Sequence, residues 1–440
     1  MSGNKRNSSG YHRLLPHPLR LSAMVLLLAV VASCASSHGS SNATEHSSSP
    51  STKVASTKIT SFSATPSGNK QLVSPTSSSS ITGISSTIAK DVAWQQAWFA
   101  SSNTGWLAGE SCQKAAGPRS SLPPVCKGVI VKTATGGESW QLQYQGPVDI
   151  IQLQFVGTAD GWVLGDRGQG CPSSSCQSVL LRTRDGGRRW SHIVTPLRHL
   201  SALAFVSPAS GWLIGTDCTE KQDTARCPLK LLRTNDGGAT WQIVALPVTG
   251  TVTSLGFSHP SSSDGWVVVT HAVPGGIHLL VSYNAGKSWR VLLDPGNGFT
   301  QALFFRTPRE GWLLVGSQPG AGNQEKKLFY TSNGGERWTE LAQTPRFGPQ
   351  GIRQPGGLLM SGYVGQLFFS TATQGWIASP RGGLLHSHDG GRTWSAMALD
   401  RGRSFEEVHF LNAQLGWALR LRKLWMTRDG GSTWQPVPLP

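Results

Sequence analysis

Apolar and polar residues alternate in short runs over most of the chain, as in LSALAFV (200–206). A period near two over so few residues predicts a strand with one face buried. After it come GWLIG (211–215), then KLLRT (230–234) beyond a longer loop, then a last apolar stretch that opens at Trp241 behind the turn NDGGAT. One such unit is expected to hold four short antiparallel strands.

The unit recurs. Its turn-and-tryptophan string reads RTRDGGRRW (182–190), RTNDGGATW (233–241), HSHDGGRTW (386–394) and MTRDGGSTW (426–434), with looser copies KTATGGESW (132–140), VSYNAGKSW (281–289) and YTSNGGERW (330–338). The closing tryptophans, from Trp140 to Trp434, are spaced by 50, 51, 48, 49, 56 and 40 residues, a period that marks a repeat architecture. In counterphase, a phenylalanine precedes a Gly-Trp pair, as Phe155 precedes GWVLG (161–165) and Phe205 precedes GWLIG; the other copies place Trp106, Trp266, Trp312, Trp376 and Trp417. The two motifs use fourteen of the seventeen tryptophans, so the aromatic content belongs to the repeat. A lone four-stranded meander leaves two edges and two faces uncovered, whereas a ring of such sheets packed face to face covers both faces. Seven units therefore predict an all-β, seven-bladed propeller.

The turn string has its own chemistry. Asp at its third position can accept backbone N–H bonds, glycines permit positive φ, and the preceding Ser or Thr hydroxyl can bond across the hairpin. Asp185, Asp236, Asp389 and Asp429 fill that position; Asn284 and Asn333 keep the side-chain oxygen, and Thr135 in the first unit departs furthest. The closing tryptophan is expected to plug the gap towards the neighbouring hairpin.

The pattern [ST]-x-D-x-G-x-x-W resembles the Asp-box, or bacterial neuraminidase repeat. With the Phe and Gly-Trp motif ahead of it, the unit is similar to that of the photosystem II assembly and stability factor family, over roughly 93–440. That resemblance implies a seven-bladed propeller that binds protein rather than one that catalyses, and a role in building a membrane complex.

The two ends differ from the repeat region. Lys5, Arg6, Arg13 and Arg20 precede the apolar run LSAMVLLLAVV (21–31) and VASC (31–34), the order of a secretory signal too short to span a bilayer as a helix. Cys34 resembles the cysteine of a bacterial lipobox, which implies diacylglycerol transfer to its thiol and anchorage on the extracytoplasmic face of the cell membrane. Residues 35–90 hold 27 Ser or Thr and one acid, too little apolar surface to offset the entropy of ordering, and are expected to be a disordered tether. The expected division is thus 1–33 signal, 34–90 tether and 91–440 propeller.

Of seven cysteines, six fall as pairs within single loops: Cys112 with Cys126, Cys171 with Cys176, and Cys218 with Cys227. Each loop joins the second and third strands of its unit, and the pairs are expected to form disulfides in an oxidising compartment. A zinc site at CPSSSC (171–176) is the rival, without a second ligand pair in its unit. In a meander, the loops from strand two to three and from strand four to the next unit share one face, while the boxes share the other. The cysteine loops therefore decorate one face, which also receives the long insertion TPRFGPQGIRQPGGLLMSGY (344–363). Binding concentrates on such loops.

Charge narrows the partner. Of the formal +16, residues 1–90 hold eight basic residues and one acid, leaving 31 against 22, or +9, for the propeller. That excess favours an anionic partner surface, and Arg346, Arg353, Arg381, Arg401 and Arg403 gather on or near the decorated face, the candidate partner-binding face. No nucleic-acid module, cofactor motif or catalytic signature is present, and a monomer is expected. Sialidases share the box but carry an Arg-Ile-Pro segment, which is missing here, and a Tyr/Glu nucleophile pair. The runner-up is a cell-surface protein that binds or cleaves glycans, which would need two carboxylates across a cleft. Glu110, Asp166, Asp217, Glu220 and Asp223 are loop acids without evident pairing, Glu406 and Glu407 should point to opposite faces, and His386 and His388 should be exposed strand residues.

Overall fold

In the computed structural model the described residues are 91–113, 125–167, 177–217, 229–247, 252–258, 264–271, 277–292, 300–318, 320–344, 357–379, 381–397, 405, 407–420 and 422–440. They form seven four-stranded antiparallel sheets with no helix among them. The sheets are blade 1 (Val92–Gly146), blade 2 (Val148–Ile193), blade 3 (His199–Val244), blade 4 (Val252–Leu292), blade 5 (Thr300–Gln343), blade 6 (Gln366–Ala396) and blade 7 (Glu407–Val437). Every sheet takes its strands in chain order, the first innermost and the fourth outermost, so the alternating pattern and its four-strand division match the fold.

Two aromatic rows hold the ring. The Gly-Trp tryptophan of one blade stacks on the inner-strand phenylalanine of the next: Trp106 on Phe155 at 3.6 Å between ring centroids, Trp162 on Phe205 at 3.7 Å, Trp266 on Phe305 at 3.8 Å and Trp312 on Phe369 at 3.8 Å. Each such phenylalanine also lies flat over the Gly-Trp glycine of its own blade, where a Cβ at Gly161 would come 2.4 Å from the Phe155 ring. The box tryptophan then meets the same phenylalanine edge-on, as Trp190 does against Phe155 at 6.1 Å and 76°. Each phenylalanine is thus packed between a stacked and a perpendicular indole, in the offset and T-shaped geometries aromatic rings favour. The indole N–H groups of Trp106, Trp162, Trp266 and Trp312 donate to the carbonyls of Gly186, Gly237, Gly334 and Gly390, the first box glycine of the following blade.

The box turns close as their chemistry dictates. In blade 2 the Thr183 hydroxyl donates to Asp185 Oδ1 and accepts from the Gly187 N–H at 2.9 Å, while the same Asp185 oxygen accepts from the Arg189 N–H at 2.9 Å. Gly186 and Gly187 take φ of +73° and +98°. The first box keeps this geometry despite Thr135, whose hydroxyl accepts the Ser139 N–H at 2.9 Å in place of a carboxylate. In the fourth box Ala285, standing where the others have glycine, is held at φ +58°. At Asp236 the bonds from Thr240 and Thr234 outweigh desolvation and bring the carboxyl down to about 2.

The ring closes without strand exchange, since blade 1 is built wholly from one end of the described chain and blade 7 wholly from the other. Side chains make the seam: Phe99 stacks on Trp417 at 3.9 Å and 4°, the Trp140 indole donates to the Pro438 carbonyl at 2.9 Å, and the Ala97 N–H donates to Glu407 Oε2 at 2.8 Å. That last contact belongs to a wider device on the inner edges. Gln152 exchanges two hydrogen bonds with the Leu203 backbone and Gln154 two with that of Phe205, so carboxamides of blade 2 pair with the open edge of blade 3. Gln366 accepts likewise from Val408. Such side-chain pairing blunts edges that would otherwise recruit another strand.

Candidate functional site

The decorated face of blades 5 and 6 is built around a buried ammonium. Lys326, at the start of the third strand of blade 5, is 4% exposed, and its Nζ lies 2.9 Å from the carbonyl oxygens of Leu359 and Gly362, 3.0 Å from that of Gln324, and 3.5 Å from those of Met360 and Ser361. Burial pushes its pKa down from 10.5 to about 8. An ammonium has three donors, so this lysine gathers into one turn a run of carbonyls that would otherwise be orphaned. Gln324 adds a second tie: its Nε2 donates to the Ser317 carbonyl at 2.6 Å and its Oε1 accepts the Val364 N–H at 2.7 Å. The C-terminal part of the long insertion is therefore fixed on the blade 5 hairpin that carries Ser317 to Lys326.

These ties present Tyr363 and Arg381. Arg381, exposed and at φ +63°, sets its guanidinium 5.6 Å from the Tyr363 ring centroid and 3.5 Å from its hydroxyl oxygen. The Tyr363 hydroxyl accepts from the Gly322 N–H at 3.2 Å, and Ser379 Oγ donates to the Tyr363 carbonyl at 2.6 Å. A cation over an aromatic face is a compact recognition element for anionic or planar groups. Of the five arginines the sequence assigns to this face, Arg381 is placed here; Arg346, Arg353, Arg401 and Arg403 lie outside the described residues.

A second basic cleft opens on the same face at blade 2, between the end of its second strand and the segment that leads to blade 3. It has a volume of about 740 Å³, and Arg167, His192, Arg198 and His199 line it with Val194 and Leu197. Arg167 Nη2 and His192 Nε2 are 3.1 Å apart; desolvation first, then the Arg167 charge, lowers the His192 pKa. Sequence reasoning missed this cluster because its members come from three separate strand ends. The one visible signal is that Arg167 stands just before the CPSSSC loop.

Cys112 and Cys126 sit opposite each other where the second and third strands of blade 1 leave the decorated face, joined with a Cα–Cα distance of 4.0 Å. Cys34, Cys171, Cys176, Cys218 and Cys227 lie outside the described residues, as do Glu220, Asp223 and Glu406.

The acids weighed for catalysis each bond a separate partner. Asp166 accepts from Ser178 at 2.8 Å, Asp217 pairs with Lys230 at 2.7 Å, and Glu407 belongs to the seam. Tyr330 donates to Glu310 at 3.3 Å, a Tyr–Glu contact on the box face, where burial and the glutamate charge raise the phenol pKa, the opposite of what activates a nucleophile. His388 is exposed as expected, but His386 is not: it is 2% exposed, stacked on Trp376 at 3.6 Å, and desolvation holds its pKa at about 4. The aromatic row buries His386, while His388, two residues on, stays exposed.

The fold and the aromatic staples together define a seven-bladed propeller with basic features on its decorated face. No protein-family model and no curated protein matches the chain. Among solved structures, YCF48 from Cyanidioschyzon merolae is similar at 16% identity and a TM-score of 0.50, over 79% of this chain and 98% of that one. YCF48 bound to D1 peptide is similar at 19% identity and a TM-score of 0.48, over 77% and 93%. A GH74 enzyme from Niastella koreensis is similar at 12% identity and a TM-score of 0.39, over 78% and 65%. At 16% identity the likeness to YCF48 from Cyanidioschyzon merolae is one of fold alone.

Proposed function

We propose that this chain is a lipid-anchored, extracytoplasmic scaffold that binds a protein partner through its decorated face, in the manner of photosystem II assembly factors, and that it is not an enzyme. The observation that carries this reading is the seated insertion: Lys326 and Gln324 order a loop that sets the half-buried Tyr363 beside the exposed Arg381 of blade 6. Tyr and Arg are enriched among the few residues that carry most of the binding energy at protein interfaces, and support from a rigid element holds them in place. The blade 2 cleft adds a second basic contact on the same face. A membrane-complex subunit with an acidic segment is the partner such a face fits, and anchorage at Cys34 would keep the propeller beside it.

The test is crosslinked capture from the native membrane, comparing the wild type with a variant in which Arg346, Arg353, Arg381, Arg401 and Arg403 are all Ala. One membrane-complex subunit enriched by the wild type and lost by the variant supports the reading. Equal capture by both, or purified propeller that binds or cuts surface glycans with no protein enriched, overturns it.

A further inference from the structure

The Cys112–Cys126 pair has a third neighbour. Glu110 lies two residues before Cys112 on the same strand, hence on the same face of the sheet, and one carboxylate oxygen of Glu110 and both sulfurs lie within 4.8 Å of one another. Gln95 Nε2 donates to Glu110 Oε1 at 3.2 Å and so orients the carboxylate from the inner strand. Cys112 is exposed and Cys126 is half-buried, so the pair is open to a reductant.

We propose that reduction turns this clamp into a binding site for a thiophilic divalent cation of the zinc class, with Glu110, Cys112 and Cys126 as ligands and water completing the shell. A dithiol reductant supplies two electrons and two protons: its own sulfurs close into a disulfide, while the Cys112–Cys126 bond opens to two thiols. The cation then binds both sulfurs as thiolates, and their two protons pass to solvent.

Tetrahedral zinc with bonds of about 2.3 Å to sulfur and about 2.1 Å to oxygen separates its ligands by roughly 3.5–3.8 Å. The carboxylate oxygen already lies within 4.8 Å of both sulfurs, which part once the bond between them opens. Antiparallel partners of the closely approaching kind relax to a Cα–Cα distance of about 4.5 Å, which lets the freed sulfurs move apart. Two thiolates and a carboxylate suit zinc better than calcium or magnesium, whose ligands are all oxygen. The pair thus ties the second and third strands of blade 1 together in either redox state, by a covalent bond when oxidised and through the metal when reduced.

The experiment uses the full chain carrying Cys34→Ser, Cys171→Ser, Cys176→Ser, Cys218→Ser and Cys227→Ser, so that only this pair remains. The protein is reduced with a phosphine, titrated with Co²⁺ and then challenged with Zn²⁺. The expected result is one Co²⁺ per reduced chain, with a thiolate-to-cobalt charge-transfer band that Zn²⁺ abolishes and that the oxidised chain lacks. Glu110→Gln, checked for folding by its ability to form the disulfide, should weaken the affinity by at least about tenfold. No band on the reduced chain, equal binding by the oxidised chain, or unchanged affinity in Glu110→Gln would overturn the proposal.

Discussion

Replacing Trp417 with Ala tests how the ring is held shut. Trp417 and Phe99 are each at most 1% exposed and stack at 3.9 Å. Truncating a buried tryptophan costs about 3–5 kcal/mol, and losing the stacked pair about 1 kcal/mol more, so the expected loss is about 4–6 kcal/mol. Trp312→Ala is the matched control. It loses the stack on Phe369 and the bond to the Gly390 carbonyl, at a joint where the chain itself runs on from blade 5 to blade 6. At the seam no peptide segment connects blade 7 to blade 1. Urea unfolding should therefore show similar losses for the two variants, while hydrogen exchange separates them. Trp417→Ala should release amide protons along Val92–Phe99 and Glu407–Phe410 at low denaturant, ahead of global unfolding, and Trp312→Ala should release no blade early. A loss below about 2 kcal/mol, or equal early exchange in both variants, would refute closure by side-chain packing.

Three further outcomes are expected. Lys326→Met leaves the carbonyls of Leu359, Gly362 and Gln324 without their donor, so amide protection at Gly362 and Val364 should fall while that at Leu328 holds; unchanged protection at Gly362 would show that Lys326 does not seat the insertion. His409 is buried beside Trp98 with neither ring nitrogen partnered among the described residues, and desolvation lowers its pKa from 6.5 to about 4. A lowered histidine pKa means that the unfolded chain binds the extra proton first, so wild-type stability should decline as pH falls from 6.5 towards 4. His409→Phe should flatten that decline and raise stability at neutral pH by about 1–3 kcal/mol in thermal unfolding; an unchanged pH slope would count against it. Ala285→Gly relieves a left-handed alanine and should stabilise by about 1 kcal/mol in urea unfolding, with a loss of stability as the contrary result.

What could be read in advance was local. The strand division, the blade count and the box turns follow from residues within one unit, because each box bond spans at most a few positions, as from Asp185 to Arg189. The Gly-Trp motif was legible as a repeat but not as a joint, since the partner of Trp106 is Phe155 in the next unit. The Lys326 turn was hidden for another reason. A lysine at a strand start reads as a solvated charge, and only the return of the insertion, more than 30 residues on, encloses it. The blade 2 cleft and the Glu110 group likewise depend on strand ends brought together by register, and the seam joins residues about 300 apart, such as Trp140 and Pro438.

The continuity of each sheet carries a consequence for how such a chain can be rearranged. Where a ring is latched by a strand borrowed from the far end, cutting the gene anywhere else strands half a blade. Here every cut between blades releases whole sheets, and blade 7 already touches the start of blade 1, where Arg422 pairs with Asp91 at 3.3 Å. Circular permutants that link blade 7 to the start of blade 1 and open at the segment between blades 2 and 3 should keep all twenty-eight described strands in their original sheets. Duplication of one blade would likewise add a unit complete in its own hydrogen bonding, leaving only the curvature of the ring to adjust.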